Sequence, residues 1–123
     1  MTPLRVTGLD HVTVTAPEEL ADVVVAWYRE ALGLREVEKP EGAGVGGGWL
    51  KAGEQQVHVA VAPQNPPEKA HFCLVVDDFD AAVEGLRAAR CHIEQARVIP
   101  GRRRFFTRDP AGNRIEIVAW GDG

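Results

Sequence analysis

Pro63, Pro66 and Pro67, with Asn65 among them, interrupt the chain at its midpoint, and the same order of local signals runs on either side of the interruption. No other feature constrains the fold as much, because a duplicated order folds as two copies of one unit. The first copy opens at residues 9–15, where Leu9, His11, Thr13 and Thr15 alternate with Asp10, Val12 and Val14, as in a strand with two different faces. Pro17, Glu18 and Glu19 then start a helix, since proline suits a first turn and acids suit its positive dipole end. Leu20, Val23, Val24, Trp27, Ala31 and Leu32 recur at helical spacing, and Gly33 stops the run. Turn chemistry separates three further strands, expected at 34–38, 45–51 and 55–62.

Beyond the prolines the order returns. A strand is expected at 71–76, and Asp77 and Asp78 open a helix whose apolar stripe is Phe79, Val83 and Leu86. Strands at 93–98, 103–108 and 114–119 complete the second set. Each half therefore reads βαβββ. The expected organisation is a single domain over 1–123, with one module over about 7–62, a linker over about 63–69 and a second module over about 70–120. The glycine run from Gly42 to Gly48 matches neither a P-loop nor a dinucleotide pattern, so a phosphate cradle is not expected.

Chemistry-bearing residues follow the same duplication. His11 and His71 stand near the start of each half, 60 residues apart, and His58 and Glu116 stand on the last strand of each half, 58 apart. Strand parity places Val12 and Val14 on the helix side and His11 opposite, the valines around His58 on the helix side and His58 opposite, and Ile115 and Ile117 on the helix side with Glu116 opposite. His71 fits the same parity with Cys73 beside it. Taken singly, each histidine is as readily a hydrogen-bonded side chain as a ligand. As a set, three imidazoles and one carboxylate suit one divalent ion such as zinc, nickel, iron, cobalt or manganese. An inward Glu116 carboxylate needs a cation or donors, and Pro110 and Gly112 in the preceding turn set the register that sends it inward. Alternation also sends Arg104 and Arg114 toward the open side, where they would meet an anionic substrate. Cys73 reads as a small buried filler rather than a nucleophile, and Trp49 and Trp120 as cavity or edge residues.

The remaining classes are excluded by composition. A chain of 123 residues with 45% hydrophobic residues, 26% charged residues and a net charge of -4 has a globular balance and no basic patch for nucleic acid. No apolar run reaches the roughly 20 residues that span a bilayer, and no apolar signal core opens the sequence, so no membrane partner and a cytoplasmic location are expected. Cys73 and Cys91 have no CxxC spacing and read as reduced thiols.

Four segments, Leu9-Asp10-His11-Val12, Trp27-Tyr28-Arg29-Glu30-Ala31-Leu32-Gly33-Leu34, Gln56-Val57-His58-Val59 and Asp109-Pro110-Ala111-Gly112-Asn113-Arg114-Ile115-Glu116, together resemble the vicinal oxygen chelate superfamily. This group contains glyoxalase I, bleomycin-resistance proteins, fosfomycin-resistance proteins and type I extradiol dioxygenases. The resemblance implies an α+β fold in which two tandem βαβββ modules form a cup-shaped, mostly antiparallel sheet with the helices outside. It implies that His11, His58, His71 and Glu116 hold one divalent metal ion; of these, Glu116 and His58 are the expected catalytic residues, and Thr13, Cys73, Arg104 and Arg114, on the open side by parity, are the expected substrate-lining residues. It also implies a homodimer, in some members with the site shared between chains. The function implied is that of a metal-dependent enzyme of the glyoxalase or dioxygenase type acting on a small substrate with vicinal oxygens. A bleomycin-resistance-like protein that sequesters a drug or metabolite in the same cup is the alternative.

Departures narrow the member. Glyoxalase I has a carboxylate where this chain has His58 and a glutathione-gripping arginine where it has Thr15. Fosfomycin-resistance enzymes resemble it at His11 and Thr13, but their strand tyrosine is missing, since the sole tyrosine is Tyr28 on the helix. Extradiol dioxygenases are usually longer, and bleomycin-resistance proteins lack the ligands.

Overall fold

A computed structural model describes residues 3–63 and 66–121, so Asn65 of the expected linker lies outside the described residues. The elements run β1 (His11–Ala16), α1 (Ala21–Glu30), β2 (Arg35–Val37), β3 (Gly48–Ala52), β4 (Gln55–Val61), β5 (His71–Val75), α2 (Phe79–Ala88), β6 (Glu94–Gln95), β7 (Arg102–Arg108) and β8 (Arg114–Trp120). A 3-10 turn over Glu18–Leu20 leads into α1. This is βαβββ twice.

Each module closes on itself as a four-stranded mixed sheet. The orders are β1-β4-β3-β2 and β5-β8-β7-β6, and the expected cup is built from these two sheets. In both, the first strand lies parallel to the last, and the remaining pairs are antiparallel. That connection is what makes first-strand and last-strand side chains neighbours. His11 is opposite Gln56 and Thr13 opposite His58; His71 is opposite Arg114 and Cys73 opposite Glu116. The two modules therefore repeat not only their order but the register of their polar residues.

Helix α1 packs on β1, β3 and β4. It buries Ala21, Val24, Val25 and Tyr28, an i, i+3, i+4, i+7 stripe. Val23, which the sequence places on the stripe, is 53% exposed, and Trp27 is only partly buried. The buried stripe is set one position away because Tyr28 goes fully inside to reach a polar partner. Asp78 caps α2, its Oδ1 accepting from the Ala81 N–H at 3.0 Å, and Phe79 of α2 meets Phe105 edge to face.

Two strands are shorter than expected. β3 starts at Gly48 rather than at residue 45, and Val45 is fully exposed. Gly46 and Gly47 have φ of 78° and 67°, outside strand geometry, and a Cβ on Gly47 would collide with the Val59 carbonyl oxygen. β6 keeps only Glu94 and Gln95, with Val98 left exposed.

The modules meet through one core and one polar junction. Val14, Val24, Tyr28, Leu50 and Val57 of the first module share a buried cluster with Leu86, Phe105, Ile115 and Ile117 of the second. The turn before β8 is fastened to the first module. Asp109 is buried, and its Oδ1 accepts from the N–H groups of Ala111 and Asn113 at 2.9 and 3.0 Å. Its Oδ2 accepts from the Tyr28 hydroxyl and from Asn113 Nδ2, both at 2.8 Å, and Asn113 Nδ2 also donates to the Thr15 carbonyl at 2.9 Å. Burial first, then the charge of Asp109 and its hydrogen bond, hold the Tyr28 phenol well above its usual pKa. The phenol therefore remains a donor. Both cysteines are free thiols, as read from their spacing.

Candidate metal and ligand site

Alternation along the strands separates a helix face from an open face in each sheet. Val14, Val57, Val59, Ile115 and Ile117 are buried on the helix side, and His11, His58, His71 and Glu116 share the other. Parity thus places all four candidate ligands on the faces away from the helices. Thr13 and Cys73, which precede the same positions in the two registers, stand beside His58 and Glu116. A cavity of about 810 Å³ is lined by His11, Gln56, His71 and Cys73 together with apolar residues such as Leu34, Phe72 and Leu74, and neither His58 nor Glu116 is among its lining residues.

In the first sheet, His58 lies in a stack of three flat rings. The Trp49 ring is 3.9 Å away at 2° and the His11 ring 4.0 Å away at 18°. His58 Nε2 is 2.8 Å from Gln56 Oε1, so Nε2 carries the proton and Nδ1 the lone pair. Burial, and secondly the nearby His11, push the His58 pKa below the ordinary histidine value, with Asp10 opposing, so its ring is neutral at pH 7. His11 Nδ1 is 2.8 Å from Asp10 Oδ2, which fixes its tautomer and leaves Nε2 open. A ring nitrogen's lone pair lies in the ring plane, so two stacked rings aim past each other rather than at one point. His58 joins His11 on a single ion only by turning out of the stack.

In the second sheet, His71 Nδ1 donates to the Lys69 carbonyl at 2.7 Å, and its Nε2 lies 3.0 Å from Glu116 Oε1. Arg104 Nη1 is 3.4 Å from Glu116 Oε2. The inward carboxylate therefore has the cation that its position requires. Cys73 is exposed rather than a buried filler, because β5 is an edge strand and its open side is uncovered. Partial desolvation, then the Glu116 charge, pushes its thiol up to about 11, with Arg104 and Arg102 pulling the other way. Arg114 lies 3.6 Å over the Phe106 ring and Nη2 is 3.6 Å from Glu94.

The candidate ligands thus come together as two pairs, one per sheet. Among the described residues, no three His, Cys, Asp or Glu side chains gather into a metal-holding group. In donor type each pair suits a divalent ion, with three imidazoles whose second nitrogens meet an orienting acceptor and one carboxylate, while in orientation the stacked first-sheet pair does not. In number, each supplies half of a four-coordinate shell. Sequence reasoning missed Asp10 and Gln56 as the groups that orient the histidines, and Arg102 as a third arginine on the open face. The signals were present. Asp10 precedes His11 directly, and Gln56 is two residues from His58, hence on the same strand face.

The family model described as the Glyoxalase/Bleomycin resistance protein/Dioxygenase superfamily matches residues 8–117. The chain belongs to this superfamily. Among solved structures, a glyoxalase family protein from Bacillus anthracis is 32% identical, with a TM-score of 0.88 over 97% of this chain and 99% of that one. Lactoylglutathione lyase from Agrobacterium tumefaciens is 25% identical, with a TM-score of 0.71 over 92% and 93%. An antibiotic binding protein from a Streptomyces species, 20% identical, shares the fold with a TM-score of 0.74 over 97% and 100%. No curated protein matches the sequence. One fold is thus shared by a lyase and an antibiotic binding protein. Among the described residues no helix is long and apolar enough to cross a membrane.

Proposed function

We propose that the chain is a metal-dependent enzyme of the glyoxalase or dioxygenase type, acting on a small substrate with two adjacent oxygens. The observation that carries this reading is the equivalence of the two donor pairs. His11 with His58, and His71 with Glu116, occupy the same register positions in the two modules, and each histidine has its second nitrogen held by an acceptor. Such second-nitrogen contacts orient ligating histidines.

His11, His58, His71 and Glu116 hold the ion, His58 after turning out of its stack. Because each sheet supplies two donors, the complete site forms in a homodimer in which the first-sheet pair of one protomer faces the second-sheet pair of the other. A divalent ion bound there supplies a Lewis acid for two substrate oxygens. The chain supplies the rest. Glu116 takes and returns the substrate proton at Oε1, while Arg104 keeps Oε2 oriented. Asp10 and Gln56 hold the imidazoles in one tautomer, and the neutral His58 is available as a second proton carrier. Thr13 and Cys73 border the substrate without entering the chemistry, the thiol being protonated at pH 7.

A second reading is favoured by the Trp49, His58 and His11 stack, which offers aromatic faces to a flat ligand. On that reading the protein binds a drug or metabolite with no metal. One experiment separates the two. The purified protein is reconstituted with nickel, zinc, iron and manganese, its metal content and solution mass are measured, and His11→Ala and Glu116→Ala are treated alike. About one ion per completed site in a dimer, lost in both variants, supports the enzyme. A wild-type protein that stays metal-free overturns it, and activity against methylglyoxal-thiol adducts and catechols then assigns the reaction subclass if metal binds.

A further inference from the structure

The open face of the second sheet carries more cation than its own carboxylates use. β7 alternates, so Arg102, Arg104 and Phe106 share the face of Glu116, while Arg103 and Phe105 turn to α2, Arg103 reaching Asp80 at 3.0 Å. On the open face, Arg102 stacks on the Trp120 ring at 4.1 Å, and Arg104 and Arg114 both lie over the Phe106 ring, at 5.6 and 3.6 Å. Aromatic stacking fixes each guanidinium plane. Of the three, Arg104 gives Nη1 to Glu116, which also meets His71, and Nη2 to the Arg97 carbonyl at 2.9 Å, and Arg114 pairs with Glu94, while among the described residues Arg102 has no carboxylate partner.

The decisive feature is at the Nε atoms. Arg102 Nε, Arg104 Nε and Arg114 Nε are all buried and all without a hydrogen-bond partner. Buried N–H groups without an acceptor are rare in folded proteins and unfavourable. Three of them on one sheet face point to an acceptor that a ligand brings. The group that takes the Nε and Nη edge of a guanidinium in a paired bond is an oxyanion with two oxygens on one atom.

We infer that Arg102 and Arg104, two residues apart on β7, bind the carboxylate or phosphonate group of a small anionic ligand, with Arg114 on the Glu116 side of the same face. This deepens the function proposed above by naming the charge of the ligand, and it rests on that reading only for where the ligand's other oxygens go. The anion contact itself needs no metal. A substrate anchored here by its acid group lies on the same face as the His71 and Glu116 pair, so the acid end and the reacting end are recognised by different residues.

The test uses chelator-treated, metal-free protein at low salt, titrated calorimetrically and in thermal melts with pyruvate, methylphosphonate and the neutral pyruvamide. Binding and dose-dependent stabilisation by pyruvate, methylphosphonate or both, with none by pyruvamide, is the expected result, and the tighter anion assigns the acid class. Arg102→Gln and Arg104→Gln each weaken binding about tenfold, the loss of one charge-assisted pair. Arg87→Gln, at the end of α2, leaves it unchanged. No binding of either anion, or undiminished binding in the Arg102→Gln/Arg104→Gln double variant with a native melt, overturns the inference. His11→Ala distinguishes it from the metal reading, since this variant retains anion binding while losing metal.

Discussion

His71 presents both ring nitrogens to acceptors: Nδ1 to the Lys69 carbonyl at 2.7 Å and Nε2 to Glu116 Oε1 at 3.0 Å. A carbonyl accepts only, so Nδ1 carries a proton, and Nε2 meets the carboxylate through either a second proton or a cation. Metal binding at pH 7 is therefore expected to release protons. Calorimetry in buffers of different ionisation enthalpy measures the number. Glu116→Gln, which removes the carboxylate charge, lowers both the affinity and the proton count, and an unchanged count in this variant contradicts the pairing.

The contact between Asp10 and His11 makes a separate prediction. Asp10 touches no proposed ligand position except through His11 Nδ1, at 2.8 Å. Asp10→Asn is expected to weaken metal affinity by about 10- to 100-fold while leaving the melting temperature of the metal-free protein nearly unchanged, as for other groups that orient a ligating imidazole. Competition against a chelator of known affinity reads the first, and a melt without metal the second.

Cys73 couples the stability of the second sheet to alkaline pH. Its thiol is pushed up to about 11, and the thiolate is the reactive form. Alkylation by iodoacetamide in the folded protein is expected to be slow at pH 8, where only about one thiol in a thousand is ionised, and to rise roughly tenfold per pH unit up to that value. Because the folded pKa exceeds the unfolded one, the group's contribution to stability is full below the unfolded pKa of roughly 8.5 and lost as pH rises toward 11. Cys73→Ser is expected to flatten that part of the alkaline stability profile, leaving the part due to Tyr28.

The glycine run offers a paired comparison. Gly44 and Gly47 both have positive φ, 93° and 67°, but a Cβ on Gly44 meets open space while one on Gly47 runs into the Val59 carbonyl. Gly44→Ala is expected to cost about 1 kcal/mol from backbone conformation alone, and Gly47→Ala clearly more, because β3 must move away from β4 where Gly48 pairs with Val59. Urea denaturation of the two variants side by side checks the difference.

Tyr28→Phe removes one of the two donors on Asp109 Oδ2 and leaves a buried carboxylate oxygen to Asn113 alone. A loss of about 1 to 3 kcal/mol is expected, read as a lower urea midpoint at unchanged slope.

The order of elements was legible because each is a local pattern: period 2 around His11, His58 and Glu116, period 3.6 in the helices, and prolines between the halves. The donor residues were legible for the same reason, since strand parity decides their face and needs no knowledge of neighbours. What could not be read were facts about pairs distant in sequence. Nothing local says that Tyr28 rather than Trp27 goes fully inside, because that choice is made by Asp109 more than eighty positions along the chain. The stacking of His58 between Trp49 and His11 depends on register across three strands, and so does the surplus of arginine edges on the second sheet. The loss of strand at Val45 follows from glycine dihedrals that the apolar pattern there conceals.

The junction of Asp109, Asn113, Tyr28 and Thr15 also constrains any exchange of modules between copies of this chain. It fastens the turn that sets the register of β8, and hence the aim of Glu116, to the first module of the same chain. Two chains that traded modules to form an interlocked pair would have to break this buried junction and rebuild it across the twofold axis. Side-by-side association, each chain keeping its own modules, leaves it intact. The junction acts as a latch on the turn, holding Glu116 in place within a single chain.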